Sequence, residues 1–205
     1  IQICDKLPKD VRVTFSGFTE PWLNQECTKM MQYANYKGHP LSAFSTGVGM
    51  KLDDVEAVKD IPWTKGPNGG FCLHIPDAER IAEHPLNKRL YKVFEKFKEY
   101  ENDIQAFYVM SMGEPHDCVK DLWPNPVIPN FWDRVNHTPQ KGPSTCGCIE
   151  HLYHNVVLPN GDVSLCCMDY SLEKILGNLF VDEYDDIMPA PLTTFDMCGR
   201  CENGV

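Results

Sequence analysis

Short β-branched runs alternate with stretches whose apolar residues recur at helical spacing over the first two thirds of the chain. The run 11–15 (VRVTF) leads into Ser16-Gly17 and predicts a buried strand that ends in a tight turn. Pro21 stands where a helix opens, and Leu23, Met30, Met31 and Ala34 fall roughly on one face of a helix predicted over 22–37, with Gly38 as its stop. The unit then repeats. Residues 41–44 read as strand, Ser45-Thr46-Gly47 as its exit loop, and 53–58 as a short helix opened by Asp53. A third strand is predicted over 71–75, a helix over 86–100 with Leu90, Val93, Phe94 and Phe97 at helical spacing, and a strand over 104–110 that exits at Ser111-Met112-Gly113. Strands alternating with helices predict a parallel α/β sheet, in which ligands sit beyond the C-terminal strand ends.

From Trp123 the pattern breaks. Pro124, Pro126, Pro129, Pro139 and Pro143 exclude long helices and central strands. Beyond them, 155–158 and 163–166 flank Pro159-Asn160-Gly161-Asp162, a β-hairpin around an Asn-Gly turn, and a short helix is predicted over 181–187. The expected division is therefore 1–122, a Pro-rich connection over 123–145, and a small C-terminal hairpin and helix domain over 146–205.

The 205 residues suffice for one domain with a smaller one appended. A formal charge of -10 argues against a surface built to neutralise phosphates, so nucleic acid is not an expected partner. Lys92, Lys96 and Lys98 read as one solvated helix face. No apolar run approaches the roughly 18 residues that span a bilayer, and no membrane association is expected. The chain opens on Ile1 with no leader pattern behind it, so it is read as cut from a longer, cytoplasmic protein.

Cysteine usage changes the picture most. Of ten cysteines, six lie at positions 146, 148, 166, 167, 198 and 201, spaced as C-x-C, C-C and C-x-x-C. Such clustering suits metal ligation better than dispersed disulfides, although a secreted, disulfide-linked domain stands as an alternative, which predicts no free thiols. Cys148 and Cys166 flank the hairpin, and Cys198 and Cys201 share one tight loop. Four soft thiolates serve an iron-sulfur cluster or zinc, and spacing alone does not choose between them.

The arrangement Cys148-x12-Gly161-x4-Cys166 followed by Cys198-x-x-Cys201 resembles the twitch and SPASM auxiliary domains of radical S-adenosylmethionine (SAM) enzymes. The run 157–170 (VLPNGDVSLCCMDY) and then Gly177-Asn178-Leu179 resemble those domains as well. The resemblance implies an auxiliary [4Fe-4S] cluster on Cys148, Cys166, Cys198 and Cys201. Only one complete ligand set is present, as in the shorter twitch form. Cys146 and Cys167 are left over, read as small buried side chains; each neighbours a proposed ligand and replaces it in the alternative reading.

The N-terminal two thirds resembles the second to fifth strand units of the radical SAM partial (β/α) barrel, beginning at Phe15-Ser16-Gly17-Phe18-Thr19-Glu20-Pro21-Trp22. In that family the corresponding Gly-Gly-Glu motif holds the amino group of SAM. The resemblance carries this role onto Gly17, Thr19 and Glu20, with Thr19 standing where a glycine is usual. It also makes Ser45, Thr46 and Ser111 candidates to contact SAM. His74 is read as a structural histidine with a satisfied ring, facing substrate in the alternative reading.

The defining C-x3-C-x2-C loop of the superfamily occurs nowhere in this sequence. It is expected upstream of Val11, and the chain is expected to be inactive alone. For the full-length protein the resemblance implies an oxidoreductase in which a 5'-deoxyadenosyl radical takes hydrogen from a peptide or small-molecule substrate and the auxiliary cluster accepts an electron. Flavodoxin or ferredoxin is the implied electron donor. The competing class is a non-enzymatic module with a structural Cys4 zinc site.

Overall fold

The computed structural model describes residues 2–66, 69–129, 154–188 and Cys198. The chain divides into one compact unit over 8–130 and a second that joins residues 2–7 to 131–205.

The first unit is a parallel sheet of β1 (Val13–Phe15), β2 (Leu41–Ser45), β3 (Gly70–Ile75) and β4 (Phe107–Ser111), in the order β1-β2-β3-β4. It is the mixed α/β arrangement the alternation predicts. Helices α2 (Cys27–Tyr36), α3 (Leu52–Lys59) and α4 (Lys88–Tyr100) connect the strands, and α5 (Asp117–Lys120) follows β4. Several boundaries in this unit differ from the sequence expectation, two of them by more than two residues and for local reasons. Pro21–Leu23 forms a separate 3-10 turn, and the Asn24 side chain accepts from Glu26 N at 3.0 Å, so the helix expected from 22 begins at Cys27. The strand expected from 104 begins at Phe107, because Ala106 takes a left-handed φ of 51°. At α4 the Asn87 side chain accepts from Leu90 N at 3.0 Å and fixes Lys88 as the first helical residue.

Successive residues of a strand face opposite sides of the sheet. Phe71 on β3 is fully buried, its ring 5.2 Å from those of Trp63 and Phe97 and 5.8 Å from Trp22. Leu73 and Ile75 share that side, which α4 covers through Leu90, Val93, Phe94 and Phe97. The opposite side carries Thr14, Ser42, Phe44, Cys72, His74, Tyr108 and Met110 in register. One side is therefore a conventional apolar core, while the other mixes hydroxyl, thiol and imidazole groups with aromatic rings.

The second unit contains α1 (Gln2–Lys6), an antiparallel sheet of β5 (Val156–Val157), β6 (Asp162–Ser164) and β7 (Ile175–Asn178), and α6 (Tyr184–Ile187). The hairpin turns at Asn160-Gly161 as predicted, closed by Leu158 N to Asp162 O at 2.8 Å and Gly161 N to Leu158 O at 2.9 Å. Strand β7, helix α1 and the later start of α6 were not expected from the sequence. Asn178 explains the third strand: its side-chain amide donates to Asn160 O at 3.0 Å and to Asp162 Oδ1 at 2.9 Å, tying β7 to the turn. Val163, Leu179 and Ile187 form the core of this sheet, with Ile3 and Leu7 packed on them. Lys6 Nζ donates to Asp182 O at 2.8 Å and holds α1 in place. No helix among the described residues is long and apolar enough to cross a membrane.

Candidate functional site

Two groups of polar and sulfur-bearing side chains stand out, one in each unit. In the first unit the exits of β1 and β2 are joined by a single carboxylate. Glu20 Oε1 accepts from Ser45 Oγ at 2.7 Å and Trp22 N at 3.3 Å, while Oε2 accepts from Thr46 N at 2.7 Å and Thr46 Oγ1 at 2.6 Å. Ser45 Oγ in turn accepts from Gly47 N at 2.9 Å. The parallel pairing of β1 with β2 brings these groups together, because both strands end at the same edge of the sheet. The structure thus gathers Glu20, Ser45 and Thr46 into one hydrogen-bonded cluster. Gly17 lies on the same exit loop and turns the chain at a φ of 119°. Thr19 is not among the non-glycine residues with positive φ, which are Arg80, Ala106 and Leu172 among the described residues, so a side chain fits where the related motif has glycine.

Ser111 lies at the exit of β4 and is not part of that cluster. Its Oγ is buried with no hydrogen-bond partner. His74 departs from the expected satisfied ring, since its Nε2 is also buried without a partner. The cause is its neighbourhood: the Phe44 ring stands edge-on at 6.3 Å, and His84 Nε2 contacts the His74 carbonyl oxygen at 3.0 Å rather than the imidazole. Burial, reinforced by His84, lowers the His74 pKa to about 4, so the ring is neutral at pH 7. On the same side of the sheet, burial pushes the Cys72 thiol up to about 12 against the opposing effect of its hydrogen bond with Tyr108. Cys27 is buried at the start of α2; burial, then Glu20, then Asp54 raise its thiol to about 12.

In the second unit Cys166 and Cys198 are buried in one cluster with Leu165 and Met168, and Cys167 is packed against it. Met168 N approaches Cys166 Sγ at 3.4 Å, a backbone donor aimed at the sulfur. The loop that carries Cys166 is built around Asp169, which is 1% exposed and accepts from Glu173 N at 2.8 Å and Lys174 N at 2.9 Å. Leu165 N donates to Lys174 O at 2.9 Å and closes the loop. Asp169 escaped the sequence reading; its signal was a carboxylate three positions after a proposed ligand in an otherwise apolar run. Cys146, Cys148 and Cys201 lie outside the described residues, and among the described residues no three Cys, His, Asp or Glu side chains gather as a metal-binding set. Soft sulfur donors, burial and an amide directed at Cys166 Sγ fit an iron-sulfur cluster.

Comparison with known proteins bears on both groups. Residues 146–202 match the SPASM family, an iron-sulfur cluster-binding domain. Among solved structures, BtrN with selenomethionine in an open conformation superposes with a TM-score of 0.54 at 14% identity, covering 98% of this chain and 77% of that one. BtrN in complex with AdoMet and 2-DOIA gives a TM-score of 0.55 at 14% identity, over 91% of this chain and 66% of that one. No curated protein sequence matches. At this identity the likeness to BtrN speaks for the fold, and the family match speaks for the cysteine-bearing region. In sequence, residues 146–202 are thus similar to a SPASM iron-sulfur cluster-binding domain, and the α/β fold of the chain is similar to that of BtrN.

Proposed function

We propose that this chain is the SAM-holding and auxiliary-cluster portion of a radical SAM oxidoreductase. The observation that carries the proposal is the pairing of a SPASM match over 146–202 with an acidic, hydroxyl-lined cluster at the exits of β1 and β2. When bound, SAM supplies a carbon-centred radical that takes hydrogen from substrate, and a [4Fe-4S] cluster supplies one-electron transfer. The residues of this chain do the binding and orienting.

At the strand exits the Glu20 carboxylate and the Ser45 and Thr46 hydroxyls form a patch that suits the ammonium end of SAM and repels anions. Ser111, with an unpaired buried hydroxyl, offers a further polar contact at the exit of β4. His74, neutral and unpaired at Nε2, adds a group that exchanges hydrogen bonds without adding charge. In the second unit Cys166 and Cys198, with Cys148 and Cys201, would hold the auxiliary cluster, and the Asp169 loop keeps Cys166 in position. Four cysteine ligands leave no iron open to substrate, so the role assigned to this cluster is electron transfer. The sequence holds no C-x3-C-x2-C run, and we expect no SAM cleavage by this chain alone.

Iron, acid-labile sulfide and zinc per chain after anaerobic preparation, with the visible spectrum, test the proposal. About four irons with matching sulfide and a brown colour are expected for a [4Fe-4S] centre. Stoichiometric zinc without sulfide would replace electron transfer by a structural Cys4 site.

A further inference from the structure

None of the strands β1 to β4 contains Asp, Glu, Lys or Arg. The side of their sheet opposite α4 is polar all the same, with Thr14, Ser42, Cys72, His74 and Tyr108 in register beside Phe44 and Met110. Most of these polar groups satisfy one another. The Thr14 and Ser42 hydroxyls share a hydrogen bond of 2.7 Å, and the Tyr108 hydroxyl pairs with the Cys72 thiol. His74 Nε2 is different: it is buried and has no partner. Leaving such an atom unpaired costs about 1–3 kcal/mol, and an unsatisfied group of this kind in a folded protein calls for an explanation.

The imidazole stands in a frame of neighbours. His84 Nε2 meets the His74 carbonyl oxygen at 3.0 Å, and the Phe44 ring lies edge-on to His74 at 6.3 Å and to Tyr108 at 6.5 Å. Ser42 and Cys72 are fully buried, whereas Phe44, His74, Tyr108 and Met110 are only half-buried. A ligand on this side therefore meets aromatic and thioether surface with one unsatisfied nitrogen among it. Burial keeps the ring neutral at pH 7.

We infer that His74 is the specificity-determining residue of this side of the sheet, and that Nε2 receives an uncharged hydroxyl carried on an apolar ring. A hydroxyl both donates and accepts, so it matches either tautomer of a neutral imidazole. An ammonium group only donates and a carboxylate only accepts, and neither meets an opposite charge on these strands. The aromatic rings and Met110 supply the contact for the apolar body of the ligand. Resting on the radical SAM reading of the chain, this ligand is the substrate, of the neutral ring-alcohol class.

The test is a titration of the full chain at pH 7, isotope-labelled at its histidine nitrogens, with benzyl alcohol, benzylamine and benzoate. The His74→Phe variant identifies the Nε2 resonance by its disappearance. Benzyl alcohol should move that resonance saturably, and the cationic and anionic probes should bind at least about tenfold more weakly, for want of a counter-charge. Followed through the ligand's own resonances, His74→Phe should lose about 2- to 12-fold in affinity for the alcohol, the worth of one neutral hydrogen bond. His74→Gln, which keeps an uncharged donor and acceptor, should retain the preference for the alcohol. Wild-type alcohol affinity in His74→Phe overturns the inference, as does benzylamine or benzoate binding that matches the alcohol. Iron in the chain with none of the three probes bound would overturn it and leave the proposed function standing. Selective alcohol binding at His74 in a chain that holds no iron would uphold the neutral site and remove the proposed function instead.

Discussion

Replacing Asp169 by Asn tests whether the loop that carries Cys166 depends on one buried carboxylate. Asp169 Oδ1 accepts from Glu173 N at 2.8 Å and Oδ2 from Lys174 N at 2.9 Å, in a side chain that is 1% exposed. Asparagine keeps one acceptor oxygen and turns an N–H towards the other backbone N–H. A hydrogen bond to a charged group contributes about 1.5–3 kcal/mol, and an unsatisfied buried donor costs about 1–3 kcal/mol. The two figures overlap, because they describe one lost contact, so the substitution should cost about 2–4 kcal/mol. For a unit of this size each kcal/mol shifts a melting midpoint by about 4–8 °C, which gives a fall of roughly 8–32 °C for the unit that contains the loop. The assay is thermal melting followed by circular dichroism, with iron per chain measured on the same preparation. Because Cys166 belongs to that loop, iron retention should fall as well. A variant with an unchanged midpoint and unchanged iron would refute the argument that Asp169 organises the loop.

Three further outcomes follow from shifted titrations. The Cys27 and Cys72 thiols, raised by burial from 9.0 to about 12, should be alkylated by iodoacetamide at pH 8 about a thousandfold more slowly in the folded chain than in urea; equal rates would contradict their burial. The unfolded chain loses these protons above pH 9 while the folded chain keeps them to about 12, so their contribution to stability is complete below pH 9 and is lost as pH rises towards 12. His74 works in the opposite sense. Its pKa falls from 6.5 to about 4 through burial and then His84, so its contribution is present above pH 6.5 and is lost as pH falls through 4. That contribution is about 3 kcal/mol, and urea unfolding of His74→Gln between pH 4 and 7 should show a flatter acid limb; an identical limb would assign the acid sensitivity elsewhere.

The parallel sheet was legible because β1 to β4 are short apolar runs separated by helices with clear apolar faces. Leu90, Val93, Phe94 and Phe97 announce α4 and the side it buries. What escaped the sequence were features decided by hydrogen bonds rather than by periodicity. The Asn24 side chain postpones α2, and the left-handed Ala106 postpones β4. Strand β7 depends on Asn178 recognising a turn 18 positions earlier, a non-local contact that no window of residues reveals. At the strand exits the residue types were readable. Their connection through Glu20 was not, because Glu20 and Thr46 are 26 positions apart and meet only when β1 pairs with β2. Asp169 is the converse case: its partners are local, but its burial cannot be inferred from an acidic residue in a short loop.

Helix α1 belongs with the sheet of β5 to β7, and Lys6 meets Asp182 across 176 positions of sequence. The second unit is therefore discontinuous, interrupted by the whole of the first. On the ribosome α1 emerges before the first unit, and its apolar partners Val163, Leu179 and Ile187 emerge after it. The parallel sheet of the first unit is free to form during that interval. Ile3 and Leu7 remain uncovered until then, so the second unit completes its core only after the whole of the first has been made.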